Sequence, residues 1–115
     1  MNIGDYVRTE MNKIGIQLIS KIKEIRDGDL IFTTNGYWDK ENIIKSSPNI
    51  IDLLKKKDIV IDYKGNIYQV VKVWKDYIFT DKKNKYGQVV TLVDYQIKSI
   101  VTKEQFSSME YKVGE

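Results

Sequence analysis

The sequence predicts a mostly-β protein: a doubled β-meander whose two units pack together, with one or two short helical turns. Two observations carry that expectation. Residues 57–81, KDIVIDYKGNIYQVVKVWKDYIFTD, alternate as short strands do and are cut by turn residues. Residues 4–34 repeat that stretch in outline, and no Gly/Ser- or Pro-rich linker separates the two.

In the central stretch, Ile59 and Ile61 alternate with Val60 and Asp62, the period of a strand. Gly65-Asn66 reads as a two-residue hairpin turn, because both residues tolerate positive φ. Residues 67–74 follow as a strand rich in Val and aromatics, with Val71 and Val73 on one face and Val70, Lys72 and Trp74 on the other. Lys75-Asp76 turns again into residues 77–81. Strands joined this tightly pair antiparallel, and the meander must curl or pack to hide one face.

Sliding the chain against itself aligns Gly4-Asp5-Tyr6-Val7 with Lys57-Asp58-Ile59-Val60, and Ile31-Phe32-Thr33 with Ile78-Phe79-Thr80. With Gly28 taken as an insertion, Lys23-Glu24-Ile25-Arg26 falls opposite Val71-Lys72-Val73-Trp74, and Ile44-Lys45-Ser46 resembles Ile97-Lys98-Ser99. Each copy then reaches a helix cap, Ser47 before Pro48 and Thr102 before Gln105. This order of matches argues for duplication, with units at residues 1–54 and 55–115. Each unit alone is near the lower size limit for independent folding.

Between these landmarks, residues 3–9 read as an opening strand. Residues 10–26 fit two patterns: Met11, Ile14, Leu18, Ile22 and Ile25 at helical spacing, or Ile14, Ile16 and Leu18 in alternation. Gly15 costs a helix about 1 kcal/mol relative to alanine, and the repeat favours strands. Asp27-Gly28 and Asn35-Gly36 are hairpin turns around a strand at residues 30–34, and Tyr37-Trp38 begins a loop or a further strand. Residues 49–55 suit one or two helical turns with Ile50, Ile51 and Leu54 inward. Residues 88–94 and 95–101 read as strands, Thr102 opens a helical turn containing Phe106, and the tail, through Tyr111 and Val113, suits an edge strand.

Composition bounds function mainly by exclusion. The chain has 115 residues, a net charge of +3, no cysteine and no histidine. The commonest acid/base group and the commonest metal ligand are therefore missing, so neither an enzyme, nor a metal, nor a cofactor is expected. Acidic mimicry of DNA would need a strongly negative chain. No apolar run reaches the roughly 20 residues of a membrane span, and MNIGDYVRT is not a secretory signal, so a cytoplasmic protein with no membrane partner is expected. The aspartates fall mostly at strand ends and turns, where they cap backbone.

Two sets of residues suit binding. Tyr37, Trp38, Tyr63, Lys72, Trp74 and Tyr86 are candidates for contact with a partner protein, as Trp and Tyr anchor interfaces. Trp38 and Trp74 equally suit plugs at the ends of two small barrels. Lys82, Lys83 and Lys85 beside Tyr86, joined by Lys55, Lys56 and Lys57, are candidates for gripping a nucleic-acid backbone, or for simply solvating a loop. The chain's two arginines, Arg8 and Arg26, are few for reading bases.

Gly4-Asp5-Tyr6-Val7, followed by Ile-rich strands and a Gly-punctuated turn, resembles the opening of KOW-type and other SH3-like barrels, which implies two tandem SH3-like units. The blocks IGDYVRT, SPNIIDLL and IKSIVTKEQF resemble small proteins of phages and prophages of low-GC Gram-positive bacteria. That resemblance implies a mobile-element setting, in which small non-enzymatic proteins block host machinery, CRISPR and other defence complexes included. The expected function is thus occlusion of a host protein's surface. A nucleic-acid-binding module and a homo-oligomeric virion or assembly component are the alternatives.

Overall fold

The structure, a computed structural model, describes residues 1–11 and 15–109. Among them, strands β1 (Tyr6–Glu10), β2 (Gln17–Arg26), β3 (Leu30–Thr33), β4 (Gly36–Asp39) and β5 (Ile43–Ser47) form one antiparallel sheet in the order β4-β3-β2-β1-β5. Strands β6 (Ile59–Asp62), β7 (Ile67–Trp74), β8 (Tyr77–Lys83), β9 (Val89–Val93) and β10 (Ile97–Val101) form a second, in the order β10-β6-β7-β8-β9. Single 3₁₀ turns occupy Lys40–Asn42, Ile50–Leu53 and Asp94–Gln96, and the helix α1 spans Lys103–Met109. No helix among the described residues is long and apolar enough to cross a membrane.

Residues 17–26 are strand, as alternation and the self-match both favoured, and residues 12–14 lie outside the described residues. The tail strand expected through Tyr111 and Val113 also lies outside them. Counted from its own first strand, each sheet runs fifth-first-second-third-fourth. Their irregularities coincide too: a bulge falls between Ile22 and Glu24 in β2, and between Val70 and Lys72 in β7. β3 and β8 share one burial pattern, with Ile31 and Thr33 buried in the first, Ile78 and Thr80 in the second.

Several local readings change. The turn between β6 and β7 is not the two residues Gly65-Asn66; residues 63–66 form a longer loop, in which only Gly65 takes positive φ. Asp62 shapes it by accepting N–H donors from Lys64 and Asn66. In β7 the bulge breaks simple alternation: Val70 is buried, Val71 is exposed, and Lys72 and Trp74 stay outward. Equivalence between β5 and β10 is one residue away from the sequence match. Thr9 pairs with Ile43 and Asp62 with Ile97, so Ile43, not Ile44, answers Ile97. The strand read at 95–101 begins at Ile97, after the 3₁₀ turn holding Tyr95. Asn49, not Ser47, caps the 3₁₀ turn at Ile50–Leu53 by accepting from Ile51 N–H. Thr102 and Gln105 do cap α1, each side chain accepting from the other's backbone N–H.

The two halves are unequal. The second sheet's core holds Ile51, Leu54, Val60, Val70, Ile78, Leu92 and Ile97, with Ile19 of β2 packed against it. Ile51 and Leu54, which the sequence assigns to the first unit, thus lie in the second sheet's core. Among the described residues, the first sheet's cluster holds Val7, Ile22 and Ile31, flanked by Ile25 and Ile43. Thr9 Oγ1, Ser20 Oγ and Trp38 Nε1, all in the first sheet, are buried with no hydrogen-bond partner among the described residues. Such groups cost about 1–3 kcal/mol each. A small core carrying that burden depends on its neighbour.

The junction is built on Arg8, 1 % exposed, and Asp58, fully buried. Arg8 Nη1 donates to Asp58 Oδ2 at 2.7 Å and to Leu53 O at 3.0 Å. Nη2 reaches Asp58 Oδ1 (3.3 Å) and Glu104 Oε2 (3.0 Å), and Nε donates to Gln17 Oε1. Asp58 further accepts from Lys55 N–H at 2.8 Å and Lys103 N–H at 2.9 Å. Thr102 Oγ1 donates to Gln17 O, a second tie between the halves. We expect Arg8→Met to cost about 3–5 kcal/mol in urea unfolding, because it strands a buried carboxylate. In a double-mutant cycle with Asp58→Asn, the two losses should fall well short of additive.

Candidate functional site

Strand pairing sorts the sequence candidates by face. On the outer face of β7–β8, Trp74 lies opposite Tyr77 and Lys72 opposite Phe79. The Lys72 ammonium sits 5.0 Å from the Trp74 ring centroid, and Tyr77 meets Phe79 edge-on at 5.4 Å. The corresponding face of β2–β3–β4 carries Arg26 over Phe32 at 4.4 Å, with Phe32 against Tyr37 at 6.0 Å. Each sheet therefore presents aromatic rings with a cation stacked on them. Trp38 is apart from this set: it pairs with buried Ile31, is half-buried, and points its indole nitrogen inward.

A groove opens at one end of the second sheet. Tyr63, Tyr68 and Tyr95 line a hollow of about 380 Å³, with Asp62, Lys64, Asn66 and Gln96 among its walls. Tyr63 is 69 % exposed and Tyr95 79 % exposed, whereas Tyr68 is half-buried against the core. The 3₁₀ turn after β9 presents Tyr95; it is held by Gln96 Oε1, which accepts from Val93 N–H at 2.9 Å. A neighbouring hollow of about 490 Å³ shares Asn66, Tyr68 and Val90 and adds Lys82 and Lys83. Of the lysine-loop candidates, these two join the tyrosines. Lys85 and Tyr86 sit at the β8–β9 hairpin, where Lys85 stacks on Tyr86 at 5.1 Å. Lys55, Lys56 and Lys57 lie on the segment entering β6, exposed.

Asp62 organises the groove. It accepts from Lys64 N–H and Asn66 N–H at 2.9 Å, and from Asn66 Nδ2 and the Tyr68 hydroxyl at 3.1 Å. Burial opposes its charge, but the donors from Asn66, Tyr68 and Lys64 outweigh burial and hold the carboxyl below the usual carboxylate range. Burial, and then the hydrogen bond to Asp62, push the Tyr68 hydroxyl up. Its proton stays in place and anchors the ring. Sequence reasoning passed over Asp62, Tyr68 and Tyr95. Asp62 followed by Lys64, Gly65 and Asn66 was the available sign of a side chain bonding its own loop.

A further hollow is lined by Asp29, Asp39, Lys40 and Glu41, yet no group of three or more His, Cys, Asp or Glu placed to hold a metal ion occurs among the described residues. Because the native Asp62 carboxyl lies below its ordinary value, its contribution to stability is complete above that ordinary value, about 3.9. It is lost as pH falls through the lower native value. Asp62→Asn should therefore flatten the acid limb of stability against pH between those two values, as followed by thermal unfolding. The Tyr68 ring resonances should broaden or shift in the same variant.

Comparison with protein-family models, with curated proteins and with solved structures gave no match to this chain.

Proposed function

We propose that the chain is a non-enzymatic binding protein of two SH3-like units related by duplication, which covers a surface of a partner protein with the tyrosine groove of its second half. The observation that carries this reading is the convergence of Tyr63, Tyr68 and Tyr95 on one hollow, with two rings largely exposed and the third locked by Asp62. Rigid aromatic rings lose little conformational freedom on contact, which is why such residues concentrate binding energy. The shared strand order and coincident bulges support the duplication. The likeness of IGDYVRT, SPNIIDLL and IKSIVTKEQF to phage and prophage proteins supports a host protein, such as a defence complex, as the partner.

A second reading, nucleic-acid binding, is favoured by one observation: Lys82 and Lys83 continue the groove past Tyr68. Residues 55–115 also hold twelve lysines against eight carboxylates, whereas residues 1–54 are nearly balanced. The test is affinity capture from a low-GC Gram-positive host with the native chain and with Tyr63→Ala/Tyr95→Ala. A stoichiometric protein retained by the first and lost by the second supports occlusion, with each tyrosine costing about 2 kcal/mol or roughly 30-fold in Kd. Salt-sensitive retention of oligonucleotide without protein supports the second reading. Equal capture by both chains contradicts the groove.

A further inference from the structure

A separate cleft of about 240 Å³ lies between the sheets, walled by β2 on one side and β10 on the other. It shares no residue with the tyrosine groove and stands independently of the function proposed above. Lys21 enters it from the first sheet and Lys98 from the second. Neither lysine belongs to any of the ion pairs among the described residues, which are Arg8–Asp58, Arg8–Glu104 and Arg26–Glu24. Among the described residues no carboxylate lines the cleft, although nearly one residue in seven of the chain is acidic. Two cations that share a hollow without a counter-charge repel each other, and an anion between them would relieve that repulsion.

The remaining wall groups suit an oxyanion. Ser99 and Tyr6 carry hydroxyls, and Thr34 Oγ1 accepts from Lys21 N–H at 3.1 Å, which leaves its own proton to donate. The Lys21 ammonium lies 5.6 Å from the Tyr6 ring centroid, so the stem is steadied at the cleft wall. Ile19, Ile50 and Ile100 supply the apolar part of the wall, and Ser20 adds a further hydroxyl. The volume equals about eight waters at roughly 30 Å³ each, enough for one tetrahedral anion with part of its hydration. Ammonium groups and hydroxyls can all donate to a phosphate, whose oxygens accept.

We infer that this cleft binds a phosphate group, held jointly by Lys21 and Lys98, so that occupancy spans both halves of the chain. The test is a titration of the full chain with inorganic phosphate, followed by amide resonances at constant ionic strength. Saturable shifts at Lys21, Thr34 and Ser99 are expected, with affinity falling at least tenfold in Lys21→Gln/Lys98→Gln. The single variants Lys21→Gln and Lys98→Glu, each at an exposed position, serve if the double variant does not fold. Adenosine monophosphate and a short single-stranded DNA form two further arms. Tighter binding of either than of phosphate identifies an ester phosphate as the natural source, and equal binding identifies the free anion. Identical shifts from sodium chloride at matched ionic strength, or undiminished affinity in the lysine variants, would overturn the assignment.

Discussion

One guanidinium holds the molecule's two halves in register. Arg8 comes from β1, an inner strand of the first sheet, and has donors for five hydrogen bonds, and its partners are spread over the chain: Gln17, Leu53, Asp58 and Glu104. Asp58, at the entrance to β6, spends its remaining capacity on the backbone N–H groups of Lys55 and Lys103. Taking such charges from water is expensive, and a well-packed apolar contact could match the pair in net stability. What the pair enforces is geometry, since any other placement of the sheets leaves a buried charge unpaired. The planar fork of arginine suits that task, as lysine would not.

From that junction the rest follows. The first sheet has a small core with orphaned polar atoms, and it leans on a larger neighbour into which Ile19, Ile51 and Leu54 insert. With one half stabilised by the other, the second sheet's groove and outer face are displayed on a fixed support. The rings of Tyr63 and Tyr95 are then exposed at little further cost in order, and the cleft between Lys21 and Lys98 exists only because β2 and β10 are held side by side.

Much of the fold was legible because the two sheets share one strand order. Matching Lys23-Glu24-Ile25-Arg26 to Val71-Lys72-Val73-Trp74 reproduces the observed registers: Arg26 lies opposite Leu30 as its counterpart Trp74 lies opposite Tyr77. Bulges were not legible: a bulge sets two residues against one, so it shifts face without changing composition, and Val70 and Val71 were assigned to the wrong sides. Tyr37, Tyr63 and Trp74 were recognised as exposed aromatics, while Tyr95 was hidden in an apparent strand that proved to begin with a 3₁₀ turn. Arg8 and Asp58 are fifty residues apart. Nothing local marks such a pair, although a lone arginine amid Tyr-Val-Arg-Thr is a strand residue that burial would oblige to find an acid.

Native-state hydrogen exchange across the two sheets measures the dependence of one half on the other most directly. If the Arg8–Asp58 junction makes the chain one cooperative unit, the slowest amides of β2 and of β7 will open with the same free energy and the same denaturant dependence. Exchange of β2 through a separate, lower-energy opening, with β7 still protected, would contradict the account.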